Sequence, residues 1–234
     1  MEGGTNIDLG CITSLKTIYG GAKNADVNGD INLTITSGHF DRVFGGNNVG
    51  GVISGSITVN IEETGCNPIT IGELYGCGNQ ARYTTPGSKH PTINVRSFTS
   101  IGRIFGGGLG ASAVVTGNPT VNINVVEGDF ASTAYAGSSV TLDGVTINLP
   151  AHDANAIGAI GTVFGGGNAA EVIGNTNVNI GTEATIKYTS DAVDATGRTV
   201  KGADIRGNVF GGGNQAKVTG NTNVVVGKDS TANP

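Results

Sequence analysis

Short runs in which apolar and polar side chains alternate strictly recur along the whole chain. They read INLTI from Ile31, ITVNI from Ile57, INV from Ile93, VNINV from Val121, VTINL from Val145, NVNI from Asn177 and NVVV from Asn223. A period of two predicts strands with one buried face. Ahead of each run stands an aliphatic residue, an aromatic one and then glycine or a small residue. The aromatics are Tyr19, Phe44, Tyr75, Phe105, Tyr135, Phe164 and Phe210, the copy at Tyr135 (AYAGS) being degenerate. Their spacings are 25, 31, 30, 30, 29 and 46 residues. A third short element, clearest as AEV from Ala170 and AKV from Ala216, closes on the turns Gly174-Asn175 and Gly220-Asn221.

Three short strands in about 30 residues, repeated about seven times, predict an all-β fold. It is a single-stranded parallel β-helix, right-handed by the general rule for parallel connections. At about 4.8 Å per turn the rod would be roughly 35 Å long. Residues 1–234 are expected to form one solenoid domain, part of a longer protein because neither end reads as a cap. The long last spacing predicts an insertion over 187–207. Residues preceding the aromatics, from Ile18 to Val209, should stack inward, and Arg42, Glu73 and Arg103 should alternate in charge up the outside. Parity leaves the side taken by the rings open; an inward or groove-lining stack is expected, since seven exposed rings would aggregate.

Counting from the first aliphatic residue of each run sets Asn32, Thr58, Asn94, Asn122, Thr146 and Asn179 in one outward column, with Asn124 and Asn148 in its neighbour. This array reads either as a hydrogen-bonding face for sugars or ice, or as a ladder that satisfies itself along the rod.

Composition narrows the chemistry. The chain has 41 glycines, no tryptophan and a net charge of −5, with 13 basic residues scattered singly. No basic stripe exists to follow a phosphate backbone, so no nucleic acid partner is expected. No apolar run is long enough to span a bilayer, and the first residues do not resemble a signal peptide. Repetition of the glycine runs argues against a phosphate loop; glycine is expected there for positive φ and close backbone approach. The segment from Asp26 departs from a calcium loop at Ile31 and Ser37. Cys11, Cys66 and Cys77 form no zinc pattern and are expected as buried thiols, with a Cys66–Cys77 bridge as the alternative. Apart from the adjacent Glu62-Glu63 the carboxylates stand singly, and the histidines (His39, His90, His152) are isolated, so neither catalytic residues nor a cofactor or metal is expected.

The units VFGGGN and VxGNTNVNI resemble the glycine-rich repeats of large secreted or surface-anchored, adhesin-like proteins of anaerobic gut bacteria. The resemblance spans roughly Leu15 to Gly227. It implies a right-handed parallel β-helix displayed outside the cell, acting as a stalk or as an adhesive surface for glycans or host surface proteins. A polysaccharide lyase or hydrolase, an ice binder and a pure spacer are the alternatives. Open edge strands at both ends also predict end-to-end self-association.

Overall fold

The computed structural model describes residues 3–63, 66–126, 134–154, 158–182 and 200–227. Parallel strands stack in chain order into three sheets along a rod, and the described residues include no helix. One sheet has seven strands: Thr5–Leu9, Ile31–Ile35, Ile57–Glu62, Thr92–Ser97, Thr120–Ile123, Thr176–Ile180 and Thr222–Val226. A second holds Ser14–Tyr19, His39–Phe44, Thr70–Tyr75, Ser100–Phe105 and Ala159–Phe164, then Asp204–Ile205 and Val209–Phe210. The third is short, with Tyr83–Thr84, Val115–Thr116 and Val172–Ile173. This is a β-solenoid with three strands per turn.

Alternation sets the core. Ile31, Leu33 and Ile35 lie under Ile57, Val59 and Ile61, and the series continues through Ile93, Val95, Val121, Ile123, Val178 and Ile180, all buried. From the second sheet the predicted inward column holds: Ile18, Val43, Leu74, Ile104, Val163 and Val209 are in register. Arg42, Glu73 and Arg103 are likewise in register on the outer face of that sheet, but Glu73 is buried there and not on the surface of the rod.

The rings take the other face of that sheet. Tyr19, Phe44, Tyr75, Phe105, Phe164 and Phe210 stack face to face with centroids 4.8 to 5.0 Å apart. They form a cluster apart from the aliphatic core, with Leu109 packed beside it. Tyr75 Oη donates to Glu73 Oε2 at 3.0 Å, as side chains two apart on one face of a strand must be placed to do. Stacking six rings this way buries the inner ones without asking the interior to hold them.

Glycine follows each ring because the chain turns the corner in contact with the next turn. A Cβ on Gly106 would lie 2.3 Å from the Gly165 carbonyl oxygen, and one on Gly76 would lie 2.4 Å from that of Gly106. Positive φ is not the reason, contrary to expectation: none of these corner glycines has it. Close approach alone fixes the residue type.

Three expectations change. Phe105 pairs directly with Phe164, so Tyr135 is not in the ring column. Val145–Leu149 is not a rung of the long sheet either; it pairs antiparallel with Ser138–Leu142. The sheet still reaches seven rungs because Thr5–Leu9, ahead of the first aromatic, supplies one. Cys11 and Cys66 are disulfide-bonded, with Cα atoms 4.9 Å apart, and Cys77 is the buried free thiol. Of the expected insertion, residues 187–199 lie outside the described ones. Val200–Gly202 pairs with Val125–Val126, and Asp204–Ile205 has already rejoined the ring-bearing sheet beside Ala159 and Ile160.

Candidate functional site

The asparagine array is real, but its register differs from the one counted above. Thr58 stands beside Thr92, and Asn60 beside Asn94. The first inward position of those strands is proline, Pro91 and Pro119, where earlier turns have Ile31 and Ile57; counting from the first aliphatic residue therefore slipped by two. Asn32 pairs with Asn6 and Thr58 in one column. The other column runs Thr34, Asn60, Asn94, Asn122 and Asn179, ending at Val225. Its amides bond to one another: Asn94 Nδ2 donates to Asn60 Oδ1 at 2.9 Å, Asn122 to Asn94 at 3.0 Å and Asn179 to Asn122 at 2.9 Å. Asn124 is outside the ladder, buried, accepting the Thr182 N–H. Amides engaged in this way have fewer donors and acceptors left for a ligand.

Thr146 and Asn148 lie elsewhere, on the hairpin. Asp143 and Gly144, with φ of 49° and 79°, make its two-residue turn. The hairpin lies against the outer face of the ring-bearing sheet, on a seat made by two glycines. Cβ atoms on Gly72 and Gly102 would meet Val140 Cγ1 at 2.7 Å and Ile147 Cγ2 at 2.6 Å. At the tip the Asp143 carboxylate pairs with Arg42, which also holds Glu73 at 3.0 Å. Burial, aided by the Glu73 charge, pushes the Tyr75 phenol well above its ordinary range, so it stays a donor.

A cleft opens beside the hairpin. One cavity, of about 370 Å³, is lined by Arg103, Thr146, Asn148, Thr162 and Arg206 among others. A second, of about 450 Å³, is lined by Tyr135, His152, Asp153 and Arg206 with three alanines. Arg206 belongs to both and joins them. Its Nε and Nη2 are engaged with Asp204 at 3.0 and 2.9 Å, and Arg103 Nη1 is 3.7 Å from Glu73, so that among the described residues guanidinium donors of both are left for a ligand. His152 is buried; its Nδ1 lies 3.0 Å from the Asp153 carbonyl oxygen and therefore carries the proton there. Its Nε2 has no hydrogen-bond partner among the described residues.

The arrangement combines two cationic forks, hydroxyl and amide groups and one phenol ring. That set suits a polar, partly anionic ligand with an apolar face. Sequence reasoning placed Thr146 and Asn148 on a binding face, but in the wrong element, and it did not single out Arg206 or Thr162. The signal available was the dipeptide Asp143-Gly144 between two alternating runs, which marks a hairpin. Comparison with protein-family models, curated proteins and solved structures gives no match for this chain.

Proposed function

We propose that the chain is a non-enzymatic, adhesin-like rod displayed outside the cell, whose docked hairpin forms a cleft for saccharides bearing carboxylate or sulfate groups. The observation that carries this reading is the pair of cavities joined at Arg206, with Arg103, Thr146, Asn148 and Tyr135 around them. Guanidinium forks match carboxylates in geometry, and the half-buried phenol ring of Tyr135 beside them offers a sugar face an apolar contact. Among the residues lining the two cavities Asp153 is the single carboxylate, whereas glycosidic hydrolysis ordinarily uses a pair. The Cys11–Cys66 bond fits an oxidising, extracellular setting.

The test is a glycan array carrying uronate polymers, sialylated and sulfated oligosaccharides and neutral glycans, probed with the intact protein and with Arg206→Ala. Binding of acidic glycans, weakened about tenfold or more in the variant, is the expected result. Equal binding by both proteins, or none by either, would overturn the assignment of the cleft. Release of reducing ends or of unsaturated uronates would overturn the non-enzymatic part.

A further inference from the structure

We infer that the cleft takes an internal stretch of a linear saccharide chain that carries a carboxylate on every second sugar and no charge on the sugars between. This rests on the saccharide reading of the cleft and names the polymer that the cleft selects. The starting point is where the fold sets the two arginines. Thr162 stands level with Arg103 on the neighbouring rung. The Arg206 backbone N–H donates to the Ile160 carbonyl oxygen at 2.8 Å, which puts Arg206 on the rung after that. Two rung spacings separate their backbones along the rod, on the order of 10 Å.

The side chains keep the two cations apart. Arg103 Nη1 lies 3.7 Å from Glu73, which belongs to the rung on the far side from Arg206. The Arg206 guanidinium is held by Asp204 on its own rung. Guanidinium groups tied to different rungs in this way serve two anions rather than clamp one.

What lies between them is uncharged. Thr162 from the rod and Thr146 and Asn148 from the hairpin supply hydroxyl and amide groups, and Arg103 and Arg206 are the charged residues among those lining this cavity. A carboxylate placed midway meets no cation. One placed past Arg206 enters the second cavity, where the Asp153 carboxylate repels it. Charge on consecutive sugars is therefore disfavoured in both directions, whereas a neutral sugar finds donors and acceptors.

The floor suits a chain that passes through. Gly102, Gly161 and Gly207 line the cavity, one from each of the three rungs it crosses. Backbone meets backbone there: a Cβ on Gly102 would lie 2.7 Å from the Gly72 carbonyl oxygen, and one on Gly207 2.5 Å from that of Gly161. The result is a strip along the rod without side chains, on which sugar rings can lie close to the backbone between the arginines. In a linear chain of pyranoses, acids on alternate sugars recur at a distance of the same order as the arginine spacing.

The test is calorimetric titration of the intact protein with hyaluronan and unsulfated chondroitin oligosaccharides, which alternate a uronate with an uncharged sugar. Oligogalacturonates, charged on each sugar, and a sialylated trisaccharide, charged at its end alone, are the comparison. The tetrasaccharide with two uronates should bind about tenfold or more tighter than the disaccharide with one, and tighter by a similar factor than tetragalacturonate or the sialylated trisaccharide. Arg103→Ala and Arg206→Ala should each abolish the gain from the second uronate, and the wild-type series decides the matter even where a variant loses its fold. Tetragalacturonate or the sialylated trisaccharide binding as tightly as the alternating tetrasaccharide would overturn this inference and leave the cleft as a site for acidic sugars. Binding of no acidic glycan at all would overturn both.

Discussion

The rod and the hairpin are built on opposite principles. In the rod each side chain finds its partner in the equivalent residue one turn away: ring on ring, amide on amide, aliphatic on aliphatic. In the hairpin the repeat stops, and Thr146, Asn148 and the arginines opposite face a cavity instead of a copy of themselves. Repetition satisfies polar groups, and interruption leaves them free. A repeat protein of this kind is best searched for function where its period fails.

That contrast can be broken at its strongest point. Phe105 lies between Tyr75 and Phe164, fully buried, so Phe105→Ala removes two stacking contacts and opens a void in the column. A loss of about 3–5 kcal/mol is expected in urea unfolding. A loss near 1 kcal/mol would mean that the rings decorate the rod without holding it.

Two asparagines sharpen the same contrast. Asn94→Ala removes a donor and an acceptor from the ladder and should cost about 1–2 kcal/mol of stability, with acidic-glycan affinity unchanged. Asn148→Ala should do the reverse, leaving the unfolding midpoint within about 0.5 kcal/mol of wild type and lowering affinity. If both variants changed the same property, the division between rod and hairpin would fail.

The smallest expected effect is a pH slope. Burial raises the Glu63 carboxyl above its ordinary value of 4.5, outweighing the Ile69 N–H and Thr99 hydroxyl that favour the charge. The fold therefore holds this proton more tightly than the unfolded chain does. Its stabilising effect is complete below the ordinary value and is lost as pH rises through the folded one. Glu63→Gln should flatten the fall of melting temperature as pH rises above the ordinary carboxylate value, measured by calorimetry. An unchanged slope would place the pH dependence elsewhere.

Period-two runs and recurring aromatics made the solenoid, its inward column and the Arg42-Glu73-Arg103 series legible, because a repeat prints each contact several times in the sequence. What sequence alone misplaced were the exceptions. AYAGS at Tyr135 imitates a repeat unit, and only the Asp143-Gly144 turn betrays the hairpin behind it. Pro91 and Pro119 hide the start of their strands by replacing an aliphatic residue. Cys11 and Cys66 meet because a longer loop in one turn returns toward an earlier one, a proximity that no periodic count contains. The cleft depends on the hairpin that interrupts the repeat, so Arg206 carried no local signal.

The Cys11–Cys66 bond also sets how the rod would respond to load. The residues between the two cysteines, a separation of 55, cannot be drawn out while the bond is intact. Unravelling by tension from the C-terminal side would then travel down the ring column and halt short of the first turns. About 190 Å of extended chain would be withheld, at up to about 3.4 Å per residue, and released in single-molecule pulling only when a reductant is added.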